Sequence, residues 1–261
     1  MFERTGSLLN YLWRLLATGF CFTLFGLGSL VLALTVLPLI RLWPGDNYQR
    51  DSRARKVVHY AFRYFVWQMD VLGCIHVELT GREQLRNTRS QLVIANHPSL
   101  IDVVILIACI PSCVCIVKQA LWRHPFMGGV VRLSGYISNS DPEGLLAQCQ
   151  QSFDSGSSIV VFPEGTRTVD DKPLKFQRGA ANIAVRCGVE VLPVSICPNP
   201  PTLKKGMPWY HIPARCSVFY VDVKAPLDIT GIIGSEVESA RATRRLNRHL
   251  ENYYQDLLEH A

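Results

Sequence analysis

The sequence contains no Gly-x-Ser-x-Gly pentapeptide, so it lacks the strained strand-to-helix elbow that presents a serine nucleophile in α/β hydrolases. It has no glycine-rich phosphate loop ending in Gly-Lys-Ser/Thr, which removes the common nucleotide-binding proteins from consideration. No repeat and no low-complexity stretch is present. Charge is sparse as well: 18% of residues are Asp, Glu, Lys or Arg against 48% hydrophobic, too apolar for an ordinary soluble domain unless the excess is gathered in one place. Cysteine is not scarce, but its nine positions are odd in number, scattered and mostly inside apolar runs, where the thiol behaves as a small hydrophobe. That usage fits a reducing compartment. Cys113 and Cys115 would share one face of a strand, yet no second Cys/His pair stands at a zinc-like spacing, and no metal is expected.

What the chain does have begins at its N-terminus. From Leu15 to Ile40 no charged residue occurs, with Arg14 and Arg41 as bounds and aromatics near the ends. As a helix this run exceeds the ~20 apolar residues that span a bilayer. A cleaved signal peptide would have a shorter apolar core and a small-residue cleavage site, which is not found. Gly26, Gly28 and Pro38 leave a bent or re-entrant segment open beside a full crossing. Arg41, Arg50, Arg53, Arg55 and Lys56 follow the run, against Arg4 and Arg14 before it, and this bias places the rest of the chain on the cytoplasmic side of a membrane. The net charge of +6 suits anionic headgroups or nucleic acid equally, and the apolar run decides for lipid: no nucleic-acid partner is expected.

Residues 1–45 thus read as a membrane anchor and 46–73 as an amphipathic linker helix. In that helix Val57, Val58, Ala61, Phe62, Phe65 and Met69 recur at helical spacing while Arg53, Lys56 and Arg63 lie off the stripe. The stripe can rest on the membrane surface or on the domain core. Residues 74–261 then alternate short apolar runs with helical stretches. Candidate strands are Ile75 to Leu79, Leu92 to Ala95, Val114 to Val117, Ser158 to Phe162, Val191 to Ile196 and Val218 to Val223; helices are expected around 100–109, 143–153, 177–187 and 236–258. The expected fold is therefore α/β, a mixed and largely buried sheet flanked by helices, with an N-terminal membrane-embedded helix. The stretch from Pro198 to Pro213 carries Lys204, Lys205, Met207, Trp209 and Tyr210, a mixture suited to a lipid interface or to a plain surface loop. Arg241, Arg244, Arg245 and Arg248 form a basic helical face whose default is solvation.

The candidate chemistry lies where the strand Leu92 to Ala95 ends, in Asn96-His97-Pro98-Ser99-Leu100-Ile101-Asp102. Strand ends are where α/β folds collect their sites. Pro98 biases His97 toward an extended backbone, and Ser99 can cap a helix bearing Asp102 in its first turn. An imidazole and a carboxylate that meet across such a turn form a general base, the carboxylate keeping one ring nitrogen protonated and the other free to accept a proton. Ser99-x-x-Asp102 is also compatible with a capping box alone. A second block, Phe162-Pro163-Glu164-Gly165-Thr166-Arg167, follows the apolar run Ser158 to Val161. Gly165 permits an unusual backbone angle there, and Arg167 can grip an anion in a forked geometry, although a turn with a surface ion pair would look the same.

Together the two blocks resemble the glycerolipid acyltransferase family of 1-acylglycerol-3-phosphate acyltransferases, whose motifs are His-x-x-x-x-Asp and Phe-Pro-Glu-Gly-Thr-Arg. The resemblance covers roughly residues 75 to 225 and extends to Lys118, to Phe176-Gln177-Arg178-Gly179-Ala180 and to Val191-Leu192-Pro193-Val194. It implies acyl transfer from acyl-CoA or acyl-carrier protein to a hydroxyl of a lysolipid such as 1-acylglycerol-3-phosphate, with no bound cofactor, no metal and no covalent acyl-enzyme. On that resemblance His97 is the base and Asp102 orients it, while Glu164, Gly165, Thr166, Arg167, Lys118 and Arg178 bind the acceptor. Membrane lipids are the surrounding partner. Two departures stand out. The family's Gly-x-Ile-Phe-Ile-Asp-Arg block is Gly135-Tyr136-Ile137 followed by Ser138-Asn139-Ser140-Asp141, without the arginine, and a frequent lysine is Gln177. They leave open a phosphate-free lysolipid or glycolipid acceptor, a CoA-independent transacylase or hydrolase, and a non-enzymatic lipid-binding scaffold.

Overall fold

In the computed structural model, which describes residues 8–169, 173–234 and 238–259, the apolar N-terminus is helical from Leu8 to Leu42. Helix α1 (Leu8–Val31) passes through a π-helical stretch, Leu32–Val36, into α2 (Leu37–Leu42). Pro38 explains the widened turn: it has no N–H to donate, and its ring crowds the carbonyl one turn earlier. Arg4 and the first seven residues lie outside the described residues. Asp46 accepts from Gln49 N–H at 2.7 Å and starts α3 (Asn47–Val71).

The remaining elements run β1 (Ile75–Thr80), α4 (Arg82–Asn87), β2 (Leu92–Ala95), α5 (Asp102–Cys109), β3 (Cys113–Val117), α6 (Gln119–Trp122), α7 (Gly128–Leu133), β4 (Ile137–Ser138), α8 (Pro142–Asp154), β5 (Ser158–Val161), α9 (Gly179–Cys187), β6 (Val191–Asn199), β7 (Ser217–Val223), α10 (Ile229–Ile233) and α11 (Ser239–Glu259). The six expected strands are all present. The expected helix 236–258 begins on residues 236 and 237, which lie outside the described residues, and is otherwise α11. The sequence reading lacked β4 and the short helices α4, α6, α7 and α10, each too brief to show a period.

The strands form one sheet in the order β1-β7-β6-β2-β5-β3-β4, parallel throughout except for the antiparallel pair β6 and β7. Alternation along each strand divides the core in two. Val93, Ala95, Cys113, Cys115, Val160, Leu192 and Val194 face the layer of α1, α3, α5 and α7, while Leu92, Ile94, Val114, Ile159, Val161 and Val191 face α8, α9 and α11. The central strands β2, β3 and β5 are covered on both faces and read as apolar runs, whereas β1 at the edge alternates, with His76, Glu78 and Thr80 exposed.

The apolar helix is not held apart from this core. Ala17, Cys21 and Leu37 join the same cluster as Val58, Phe62, Phe65 and Met69 of α3, with the Phe25 ring tilted against Phe62 and Phe65 at 5.4 and 4.6 Å. The α3 stripe therefore rests on the domain, and the opposite side of α3 leaves Tyr60, Tyr64, Trp67 and Val71 exposed. The two bounding arginines point inward. Arg14 is buried and donates to Pro213 O and Ala214 O at 2.9 and 2.7 Å; Arg41 pairs with Asp51 at 2.6 Å and donates to Leu133 O.

Candidate active site

The order β6-β2-β5-β3 brings the carboxyl ends of four strands side by side, and the turns after β2, β5 and β3 carry the candidate residues. Two side chains fix these ends. Asn96 donates to Ile196 O and accepts from Ile196 N–H, both at 2.8 Å, and the buried Tyr254 of α11 donates its hydroxyl to Ile94 O at 2.5 Å while accepting from Val194 N–H at 3.1 Å.

His97 leaves this braced edge and meets Asp102 across the turn, with Nδ1 2.9 Å from Oδ2. The cap differs from the sequence reading. Ser99 Oγ makes no hydrogen bond among the described residues; instead Ser99 N–H donates to Asp102 Oδ2 at 2.7 Å, and α5 begins at Asp102 itself. One carboxylate oxygen thus receives both the turn's N–H and the imidazole's. The Asp102 side chain is 0% exposed and that of His97 17%. Burial pushes the Asp102 carboxyl up to about 6, against the lowering effect of the His97 hydrogen bond and charge. With Nδ1 donating to Asp102, Nε2 is the nitrogen left to accept a proton. Phe162 packs on the imidazole at 4.5 Å and 35°, which limits the ring's rotation.

The second block reaches back to the first through its main chain. Glu164 Oε1 accepts from His97 N–H at 2.8 Å and from the Thr168 hydroxyl at 2.9 Å, and Thr168 N–H donates to His97 O at 2.7 Å. Both peptide groups of His97 are therefore held by residues 164 and 168. Burial raises the Glu164 carboxyl above its usual range. Gly165 adopts φ +65°, which turns the loop at the position where the sequence placed the only glycine of the block. Arg167 extends to the loop after β6 and donates through one terminal nitrogen to Leu203 O and Lys204 O, both at 2.9 Å; among the described residues no carboxylate pairs with it.

Gly165, Thr166 and Arg167 thus lie on the turn that touches His97. Lys118 follows β3 on the next turn, and Arg178 sits where α9 begins, its segment tied to the loop by Gln177 N–H donating to Pro163 O at 2.7 Å. Both side chains are exposed and make no hydrogen bond or ion pair among the described residues. The departure at 138–141 has a local explanation. Asn139 N–H donates to Val117 O at 3.0 Å and Asn139 Oδ1 accepts from Gln119 N–H, so it braces the turn that bears Lys118. Asp141 accepts from Gly144 N–H at 3.1 Å and caps α8. The side chains of Pro142 and Glu143 lie outside the described residues. Sequence reasoning gave no role to Thr168, Asn96 or Tyr254; Asn96 and Thr168 stand one residue from motif positions, which is the one signal that was available, and Tyr254 gave none.

A histidine–carboxylate pair at a strand end, with a half-buried arginine on the neighbouring turn and exposed cations after β3 and at the start of α9, is an arrangement able to deprotonate a hydroxyl on an anionic molecule. The model of the acyltransferase family matches residues 76–197, which contains both motif blocks. Through this segment the chain is similar to the acyltransferase family. Relatives agree with that placement. A 1-acyl-sn-glycerol-3-phosphate acyltransferase of Pseudomonas aeruginosa is 26% identical over 79% of this chain and 78% of its own, and a chloroplastic one of Brassica napus is 27% identical over 68% of this chain and 52% of its own. One of Helicobacter pylori is 36% identical over 115 residues, 41% of this chain and 48% of its own. The chain spans about half the length of several curated relatives it matches. The crystal structure of the 1-acyl-sn-glycerophosphate acyltransferase PlsC from Thermotoga maritima superimposes with a TM-score of 0.60, 22% identity and coverage of 95% of this chain and 97% of that one, a likeness of fold. The matched segment therefore contains both of the blocks that the geometry gathers at one sheet edge.

Proposed function

We propose that the chain is a membrane-associated O-acyltransferase that moves a fatty acyl group from acyl-CoA or acyl-carrier protein onto the free hydroxyl of lysophosphatidic acid or a closely similar lysophospholipid. The observation that carries this reading is the His97–Asp102 pair, buried at Asp102, open at His97 and set on the same edge as Arg167. His97 Nε2 takes the proton of the acceptor hydroxyl as its oxygen attacks the thioester carbonyl; the C–S bond breaks, and the imidazolium returns the proton to the departing thiolate. Asp102 holds Nδ1 and stabilises the imidazolium. Arg167, with Lys118 and Arg178 around it, faces the acceptor phosphate, and Glu164 acts on His97 through its peptide N–H. Asp141 is engaged in capping α8, so its carboxylate is no argument against a phosphate-bearing acceptor.

Names borne by the relatives support the phosphate-bearing acceptor. Membrane association is supported by the apolar helix from Leu8 to Leu42. We place the acyltransferase domain on the cytoplasmic side on the strength of Arg50, Arg53 and Lys56; Arg14, Arg41 and Arg55 drop out of the charge count because each is bound inside the protein. Residues 1–45, 46–73 and 74–261 divide by role, as anchor, linker helix and acyltransferase domain. The experiment is thiol release from acyl-CoA and acyl-carrier protein by purified protein with lysophosphatidic acid, lysophosphatidylcholine or a neutral lysolipid. Release dependent on lysophosphatidic acid supports the reading. Acyl loss without an acceptor would make the protein a thioesterase, and transfer without any thioester donor a transacylase.

A further inference from the structure

The loop between β6 and β7 joins the apolar helix to the candidate active site. At its base Thr202 and Leu203 are buried, Leu203 holds the rare φ of +52°, Ser217 donates its hydroxyl to Pro200 O at 2.7 Å, and Leu203 O accepts both Arg167 at 2.9 Å and Leu100 N–H at 3.1 Å. A non-glycine residue in that region is strained, so its neighbours must hold it there. At the far end Arg14 of α1 donates to Pro213 O and Ala214 O. Between these two fixed ends the tip projects outward. Trp209 lies on α1, so close to Gly19 that a Cβ there would sit 3.2 Å from the indole, with Phe22 at 6.5 Å and Tyr210 edge-on at 5.7 Å.

Trp209 and Tyr210 nonetheless remain 46% and 56% exposed, and Leu12, Leu16 and Phe20 of α1, the helix on which Trp209 packs, are exposed as well. Lys205 is exposed on the same tip. Amphipathic aromatics and a lysine, continuous with an apolar helix, are the composition that partitions to the headgroup layer of a bilayer. We propose that the tip of this loop, Trp209 and Tyr210 above all, is a lipid-contact surface set in the headgroup layer. Its rigid base then holds Arg167 in register with that layer, where the anionic headgroup of an acceptor lies. The placement of Arg167 relative to an acceptor rests on the acyltransferase reading; the lipid contact does not.

The test uses full-length protein in vesicles containing lipids brominated in the upper acyl chain, comparing Trp fluorescence quenching of the unmodified protein and Trp209→Phe. The Trp209-dependent share of emission should be quenched at least twofold by shallow-brominated lipid and less by lipid brominated near the chain end. Trp209→Phe keeps an aromatic ring beside Phe22 and Tyr210, and a thermal melt equal to that of the unmodified protein makes the subtraction a comparison of two folded proteins. No quenching of the Trp209-dependent emission would overturn the proposal, whatever the enzyme assay gives. In the kinetic arm Trp209→Ala/Tyr210→Ala should raise KM about tenfold or more for lysophosphatidic acid embedded in vesicles and leave kcat on detergent-dispersed acceptor within twofold. Equal losses in both formats would show a structural role for the tip and contradict it as a lipid contact. Quenching as expected with no acyl transfer by the unmodified protein would uphold the surface and reject the acyltransferase reading.

Discussion

The edge around His97 and the cationic rim beside it are built in opposite ways. Around His97 the ring nitrogen, both peptide groups, one Asp102 oxygen and one Glu164 oxygen are each engaged at 2.7 to 2.9 Å. At the rim Lys118 and Arg178 stand exposed with no partner among the described residues. A proton relay needs fixed geometry, because transfer depends steeply on distance and alignment, whereas gripping a mobile, solvated headgroup needs only charge within reach. On the proposed reading, the difference teaches that the chemistry of this site is rigid and its recognition is adjustable. Arg167 lies between the two: one nitrogen is locked by carbonyls and the rest of the fork is available for an anion.

The largest expected effect breaks the rigid half. Asp102→Asn should lower kcat by ~10²–10⁴-fold, because an amide at that position no longer fixes the imidazole tautomer. It should also stabilise the fold at neutral pH. Since burial lifts the Asp102 carboxyl from its ordinary value to about 6, its favourable protonated form is fully present below pH ~4, and that stability is lost as pH rises through about 6. Thermal melts should show the variant gaining roughly 5 °C relative to the unmodified protein at pH 7 and nothing at pH 4. An equal change at both pH values would mean that the carboxyl is not perturbed by burial.

Arg167→Ala comes next. Losing a charge-assisted contact should raise KM for lysophosphatidic acid by ~10–100-fold with a smaller change in kcat, and a neutral lysolipid should be less affected. If both acceptors suffer alike, the arginine only holds the loop at Leu203. Thr168→Val deletes the hydroxyl that braces Glu164 while keeping its shape, and should reduce kcat by about tenfold with KM unchanged; Thr168→Ser should restore it. A rise in KM instead would place Thr168 on the acceptor. The smallest effects belong to the rim. Lys118→Ala or Arg178→Ala should raise KM only about two- to fivefold, and more at low than at high salt, as expected of exposed charges. A loss of kcat at either position would draw that residue into the rigid half.

Most of the sheet was legible because its central strands are buried on both faces and stand out as β-branched runs between turns, as in Leu92 to Ala95 and Ser158 to Val161. The pairing of His97 with Asp102 was legible because a proline and a helix start constrain a five-residue turn. The cap was not: whether Ser99 contributes its hydroxyl or its N–H depends on the turn's dihedrals, which no residue type specifies. The latch through Glu164 and Thr168 joins residues 67 and more positions apart, a contact created by the adjacency of β2 and β5 and invisible to local pattern. The inward turn of Arg14 and Arg41 was hidden for the same reason, since a basic residue beside an apolar run looks the same whether it meets lipid or a carbonyl.

The central claim is that His97 is the base for acyl transfer to a lysolipid hydroxyl, and His97→Ala measures it most directly. Single-turnover acyl transfer from the thioester donor to lysophosphatidic acid should fall by at least ~10²-fold, with an unchanged thermal melt and unchanged retention in membranes. Transfer within a fewfold of the unmodified rate in the folded variant would contradict the account.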